Sequence, residues 1–310
     1  MKNKDLVSIH DLDVQEVNEI LLLAEMIKGN PDKYTDVLSG KTLVMIFEKP
    51  SLRTRVTFEI AMTQMRGHAI YLSPSDAQIG DRETVGDVAR NLERWADGIM
   101  ARTFGHQVIV ELASYAGIPV INGLSDLLHP CQALTDFFTI KEIKGELKDL
   151  KICYIGDGNN VAHSLLYGAA KLGAHLSVIT PSGFEPKEEV VGEALKEAKE
   201  SGAKIEITNQ IQGNVKGADV IYTDVWASMG QEEHREERLK AFKDYQVNRN
   251  IMDMASQEAI FMHCLPAHRG EEVTDDVADS PMSVIFQQAE NRLHVQKAIL
   301  NLLMSEESFI

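Results

Sequence analysis

T-L-V-M-I-F-E-K-P-S-L-R-T-R-V-T-F-E-I-A-M-T-Q-M-R-G, residues 42–67, sets the architecture. Thr42–Phe47 is an apolar run of strand length. Pro50 pre-sets the turn that follows, and Ser51 is a natural helix N-cap. A helix over about 51–66 puts Phe58, Ala61, Met62 and Met65 on one face, with Gly67 beyond its end. Strand, short turn and helix in that order are half of a βαβ unit, and the same unit recurs along the chain.

On the N-terminal side, Asp13 can cap a helix in which Val14, Val17, Ile20, Leu21 and Ala24 recur at helical spacing, with Gly29 and Pro31 ending it. On the C-terminal side the spacing predicts strands at 69–72, 99–102 and 118–121, with helices at 82–96, 106–116 and 130–144. A second run gives strands at 151–155, 176–180, 205–208, 219–223 and 260–263, with helices at 160–172, 186–201 and 288–304. Such alternation implies an α/β fold of two doubly wound parallel-sheet domains. The first domain is expected over 1–147, with the C-terminal segment 288–310 packing back on it, and the second over 148–287.

The 310 residues carry 47 acidic and 31 basic side chains, a formal net charge of -16. That balance argues against nucleic acid or an anionic membrane as partner, since both attract basic surfaces. Cys131, Cys153 and Cys264 show no C-x-x-C spacing, and the N-terminal M-K-N-K-D-L-V-S-I-H-D-L-D has no apolar h-region. The apolar runs are strand-sized, so a reduced cytoplasmic protein is expected.

Open parallel sheets bind ligands beyond the carboxyl ends of their strands, which directs attention to the residues there. In E-K-P-S-L-R-T-R (48–55), the amides of Leu52, Arg53 and Thr54 would face outward at the positive end of a helix dipole, and Arg53 adds a forked cation. A phosphate fits that arrangement, although a capped helix with solvated arginines reads the same way. Arg102 closes the strand G-I-M-A-R toward the same edge, as a surface salt bridge also would. In L-H-P-C-Q (128–132), Pro130 suits the first helical position, and His129 and Gln132 can reach a carbonyl or amide group. Asp224, opening D-V-W-A-S-M-G, can hold an ammonium group, and Ser228 and Gly230 suit a loop offering backbone contacts; an exposed turn is the plainer reading. Cys264 in H-C-L-P-A-H-R-G is a buried small residue, a metal ligand with His263 and His268, or a substrate-contacting thiol. G-D-G-N-N-V (156–161) has Val161 where a dinucleotide fingerprint needs its last glycine.

Together S-L-R-T, H-P-C-Q, D-V-W-A-S-M-G and H-C-L-P-A resemble the aspartate/ornithine carbamoyltransferase family, in order over about residues 6–303. The resemblance implies transfer of a carbamoyl group from carbamoyl phosphate to an amino-acid amine. It places Ser51, Leu52, Arg53 and Thr54 on the phosphate and Arg102, His129 and Gln132 at the carbamoyl end, with Pro130 and Cys131 in the same binding stretch. Gln78 matches a loop residue that reaches a neighbouring subunit's phosphate site. Asn160, Asp224, Ser228 and Met229 would bind ornithine, and Cys264, Leu265 and Arg292 would complete the site, with Arg102, His129 and Cys264 closest to the chemistry. Leu52 departs from the family's usual threonine.

Asp224 with S-M-G suits a diamino acid, where aspartate-using relatives need cations for an extra carboxylate. Relatives using N-acylated ornithine carry a proline-rich crossing loop, and here no proline lies between Pro130 and Pro181. Putrescine stands as the alternative amine. The resemblance further implies trimers or multiples of trimers, with sites at subunit interfaces and no metal or organic cofactor.

Overall fold

A computed structural model of the chain describes residues 4–76, 79, 83–227 and 235–306. The chain divides into two compact units, Met1–Phe138 with Glu290–Ile310, and Thr139–Ala289.

The first unit contains α1 (Val14–Gly29), β1 (Thr42–Phe47), α2 (Leu52–Gln64), β2 (His68–Leu72), α3 (Val85–Leu92), β3 (Gly98–Arg102), α4 (His106–Tyr115), β4 (Val120–Leu124) and the start of α5 (Pro130–Lys144). Its four strands are all parallel, in the order β2-β1-β3-β4. Val44, Ile46, Ile99, Ala101, Ile109, Leu112 and Val120 pack as one apolar cluster, from which burial supplies the main driving force. Asp13 accepts from the Glu16 amide while Glu16 returns a bond to the Asp13 amide, a reciprocal cap that fixes the start of α1.

The second unit contains β5 (Lys151–Ile155), α6 (Asn160–Leu172), β6 (His175–Ile179), α7 (Glu188–Ser201), β7 (Ile205–Thr208), α8 (Ile211–Val215), β8 (Val220–Thr223), α9 (Arg235–Phe242), α10 (Arg249–Met254), β9 (Ile260–His263), α11 (Asp275–Ala278) and the first turn of α12 (Ile285–Met304). Its five strands are parallel, in the order β7-β6-β5-β8-β9. The expected α/β architecture of two helix-flanked parallel sheets is the one observed.

β4 begins two residues later than its apolar run predicts. Pro119 has no N–H for a ladder, and the pairing is set by the N-terminal segment: Leu6 N donates to Val120 O and Asn122 N donates to Leu6 O. The β3–β4 register then slips between Ala101 and Arg102, so Gly123 is passed over beside Arg102. α3 is shorter than predicted because Thr84 caps it at the Asp87 amide.

Each sheet has a point where successive strands go to opposite sides: between β1 and β3 in the first unit, and between β5 and β8 in the second. The crevice outside the carboxyl ends of such strands is where open α/β sheets hold ligands.

Candidate active site

At the first of these points, β1 runs into the turn 48–51 and α2. Ser51 Oγ accepts the Thr54 amide at 3.3 Å and donates to Thr54 Oγ1 at 3.1 Å, capping the helix. The adjacent strand end is locked alongside: Glu48 N donates to Arg102 O at 2.9 Å, and Phe104 N donates to Glu48 Oε2 at 2.6 Å. Arg292, on the part of α12 that belongs to this unit, donates through Nη2 to Thr54 Oγ1 at 2.9 Å and through Nη1 to Gln132 Oε1 at 2.5 Å. Gln132 is oriented from its other end, because Nε2 donates to Asp136 Oδ1 at 2.8 Å.

These groups lie in the interior. Thr54, Arg102, His129, Gln132 and Arg292 are all buried, while Arg53 is half-buried and Leu52 is exposed at the start of α2. Burial holds the His129 ring well below its ordinary range, and Arg292, Arg102 and Lys49 lower it further. At neutral pH that imidazole is therefore uncharged and can donate one hydrogen bond. Pro130 opens α5, and burial pushes the Cys131 thiol up to about 12. Cys131 Sγ points to Asn122 O at 3.4 Å, inside the core, so it is no thiolate nucleophile.

At the second point, β5 and β8 lie side by side and their exits meet. Asn159 caps α6, accepting from the amides of Val161 and Ala162 at 2.9 and 3.2 Å, and its Nδ2 donates to Asp224 Oδ2 at 2.8 Å. Cys264 Sγ donates to Asp224 Oδ1 at 2.9 Å from the end of the neighbouring β9. Leu265 follows with φ of 61°, a conformation that costs a leucine free energy, and is held by its N–H on His263 Nδ1 at 2.9 Å. His263 in turn faces Glu272 Oε1 at 3.1 Å, with both side chains fully buried. The stretch after Asp224 is pinned from α9, where Arg238 donates to Trp226 O at 2.7 Å and pairs with Asp157 at 2.9 Å.

Asp224, His263 and Cys264 offer ligand atoms within 4.8 Å of one another, as do His268, Glu271 and Glu272. A metal at the first set would displace the contact of His263 with Leu265 or Glu272. Gly158 shows why G-D-G is there: a Cβ would lie 2.2 Å from Pro186 N and 2.4 Å from the Glu185 carbonyl carbon. The glycine admits a close pass of two backbones.

The predicted residues thus fall in two groups. Ser51, Thr54, Arg102, His129, Gln132 and Arg292 gather in the first unit, and Asp224 and Cys264 meet in the second, where Asn160 opens α6 beside the capping Asn159. Gln78, Ser228 and Met229 lie outside the described residues. Sequence reasoning passed over Lys49, Asn159, Arg238 and the His263–Glu272 pair. The helix-capping position of Asn159 was the only one of these signals present in the sequence itself.

Residues 4–142 match the family model described as aspartate/ornithine carbamoyltransferase, carbamoyl-P binding domain, and residues 148–303 match the Asp/Orn binding domain of the same family. The chain is 54% identical over 309 residues to an ornithine carbamoyltransferase of Pyrococcus abyssi, covering 98% of this chain and 96% of that one. It is 53% identical over 314 residues to the anabolic ornithine carbamoyltransferase of Pyrococcus furiosus, covering 100% and 99%. Among solved structures, ornithine carbamoyltransferase from Pyrococcus furiosus superposes with a TM-score of 0.95 at 54% identity, covering 98% of each chain. The enzyme from Thermus thermophilus gives 0.89 at 43%, covering 98% and 100%. With a family model matching each half of the chain and relatives more than half identical over nearly its full length, the chain belongs to the aspartate/ornithine carbamoyltransferase family.

Proposed function

We propose that the chain transfers the carbamoyl group of carbamoyl phosphate to the δ-amine of L-ornithine, giving L-citrulline and phosphate. The observation that carries this reading is the buried group in the first unit, where the Arg292 guanidinium ties Thr54, at the capped start of α2, to Gln132 on α5, with Arg102 and His129 buried in the same unit. The phosphate rests on the amides of residues 52–54, with the helix dipole and Arg53 neutralising its charge. Arg102 and His129 donate to the carbonyl oxygen and stabilise the oxyanion that forms when the carbon becomes tetrahedral. Gln132 and Arg292, with Pro130 and Cys131 in the same stretch, complete the walls.

The second unit holds the substrate that supplies the nucleophile. Asp224 and Cys264 orient the uncharged δ-amine, Leu265 lines the same turn, and Asn160 with Ser228 and Met229 hold the amino-acid end. The amine attacks the carbonyl carbon, the C–O bond to phosphate breaks, and the departing phosphate accepts the proton. Orientation and preorganised dipoles supply most of the acceleration.

Self-association is part of the proposal. Leu52, Val56 and Ile60 repeat every four residues along α2 and stay 76%, 40% and 38% exposed, and Ile70 on the edge strand β2 is 41% exposed. An apolar stripe beside an open sheet edge suits a subunit contact, and we propose a homotrimer or a multiple of it, in which Gln78 reaches a neighbour's phosphate site. None of the described helices is long and apolar enough to cross a membrane, and we place the protein in the cytoplasm.

Citrulline formation from carbamoyl phosphate and ornithine tests the reading, with aspartate, putrescine and N-acetylornithine assayed in parallel. Ornithine is expected to be the preferred acceptor by orders of magnitude in kcat/KM. Equal or better turnover of any other amine overturns the assignment.

A further inference from the structure

β9 is an edge strand, and its outer side is covered by the segment that leads into α12. Phe261 N donates to Met282 O at 2.8 Å, and Val284 N donates to Phe261 O at 3.0 Å. Along a strand, amides two residues apart point to the same side, so the next outward N–H belongs to His263. There the backbone partner runs out, because α12 starts at Ile285 and its own bonds follow the helix axis, as Gln288 N does to Val284 O at 2.8 Å. A side chain takes over: Gln288 Oε1 accepts the His263 amide at 3.0 Å. The other end of that side chain, Nε2, donates to the Tyr222 hydroxyl on β8 at 3.2 Å. Gln288 is buried, and a buried primary amide costs free energy unless both its ends are bonded, as they are here.

The two bonds grip β8 and β9 just before the residues that carry the chemistry. His263 is followed by Cys264, and Tyr222 by Thr223 and Asp224, with Thr223 in register with His263. Beyond the strand ends, Cys264 Sγ donates to Asp224 Oδ1 at 2.9 Å, and Leu265 adopts its φ of 61°. That backbone conformation persists only where its surroundings hold it, and the thiol meets the carboxylate only while the two strand ends keep their spacing. We propose that Gln288 is a positioning residue for the transfer reaction: it fixes the end of β9 against β8 and thereby holds Cys264 on Asp224. The inference rests on the ornithine reading and deepens it with a residue that acts through others.

The test compares full-length wild type with Gln288→Met, Gln288→Glu and Tyr222→Phe by steady-state kinetics and by the rate of alkylation with iodoacetamide. Cys131 and Cys153 are buried, so alkylation of the folded protein reads Cys264. Methionine matches the length of glutamine and makes neither bond. Its kcat/KM for ornithine is expected to fall about 10- to 100-fold, with KM for carbamoyl phosphate unchanged. Cys264 gives up its bond to Asp224 before it reacts, so loss of that bond is expected to speed alkylation about 10-fold. Glutamate keeps both contacts, because a hydroxyl accepts or donates as its partner requires, and is expected to restore both readouts. Tyr222→Phe removes one contact and is expected to move both in the same direction by about 3-fold. Unchanged alkylation or unchanged kcat/KM in Gln288→Met overturns the proposal. An equal rise in KM for carbamoyl phosphate, or a glutamate variant as impaired as methionine, does so too and marks Gln288 as structural. If Gln288→Met does not fold, a Tyr222→Phe protein equal to wild type in both readouts overturns it. A wild type that forms no citrulline overturns the ornithine reading, whereas an active wild type with unaltered variants removes Gln288 alone.

Discussion

Arg292 donates through Nη2 to the Thr54 hydroxyl at 2.9 Å, joining two residues 238 positions apart in the chain. Its second nitrogen reaches Gln132, so one guanidinium fork fixes a residue on α2 and a residue on α5 at once. Lysine has the charge but not the fork. Arg292→Lys is therefore expected to raise KM for carbamoyl phosphate about 10- to 100-fold while KM for ornithine changes little. Steady-state kinetics with each substrate varied in turn decide it, and a lysine variant indistinguishable from wild type removes the fork from the account.

Asn159 does two jobs with one amide: its oxygen caps α6 and its nitrogen orients Asp224. Asn159→Asp keeps the cap but sets a second carboxylate against Asp224. Stability is expected to fall by about 1–3 kcal/mol despite the retained cap, because Asp224 loses its donor and two carboxylates then share a buried site, while KM for ornithine rises. Asn159→Ala is expected to lose about 1 kcal/mol as well as ornithine affinity. Denaturant titration with kinetics on both variants tests this, and an aspartate variant with normal ornithine kinetics contradicts it.

Burial raises the Asp157 carboxyl from 3.8 to about 6, outweighing the ion pair with Arg238. Between pH 3.8 and about 6 the folded state holds a proton that the unfolded chain has released, so this group's contribution to stability falls as pH rises through that window. The difference in unfolding free energy between wild type and Asp157→Asn is expected to shift by roughly 2–3 kcal/mol against wild type from pH 4 to pH 7. A flat difference, or one of opposite sign, rejects the assignment.

Gly158 has no room for a methyl group, since the nearest obstacles are backbone atoms of Glu185 and Pro186. Gly158→Ala must displace one of the two loops, with an expected cost of about 2 kcal/mol or more. Because α6 starts at the next turn, Asn159 and Asn160 move with it, and ornithine affinity is expected to fall together with stability. Unfolding midpoints and ornithine kinetics of the alanine variant check both.

Much of the fold was legible because it is local. The run from Thr42 to Gly67 carries its own strand, turn, cap and stop, and the cap forms as read, with Ser51 on the Thr54 amide. What was not legible depends on which strands become neighbours. Asn159 and Asp224 are 65 residues apart and meet only because β5 and β8 pair, an order the alternation of elements does not state. Lys49 reads as a solvated charge after an apolar strand until the Phe104 ring is brought against it. α8 and α11, of five and four residues, are too short for periodicity to reveal. The start of β4 was misplaced because its partner, Leu6, comes from the far end of the domain's sequence.

In the proposed reaction a capped helix start and buried cations in the first unit hold the phosphate, while Asp224 and its neighbours in the second hold the amine end. A crystal structure with N-(phosphonoacetyl)-L-ornithine bound tests it most directly. The phosphonate is expected on the amides of residues 52–54 and the Arg53 guanidinium, the carbonyl oxygen within hydrogen-bond distance of Arg102 and His129, and the ornithine moiety at Asn160 and Asp224. An analogue seated elsewhere, or bound without touching Arg53 and His129, contradicts it.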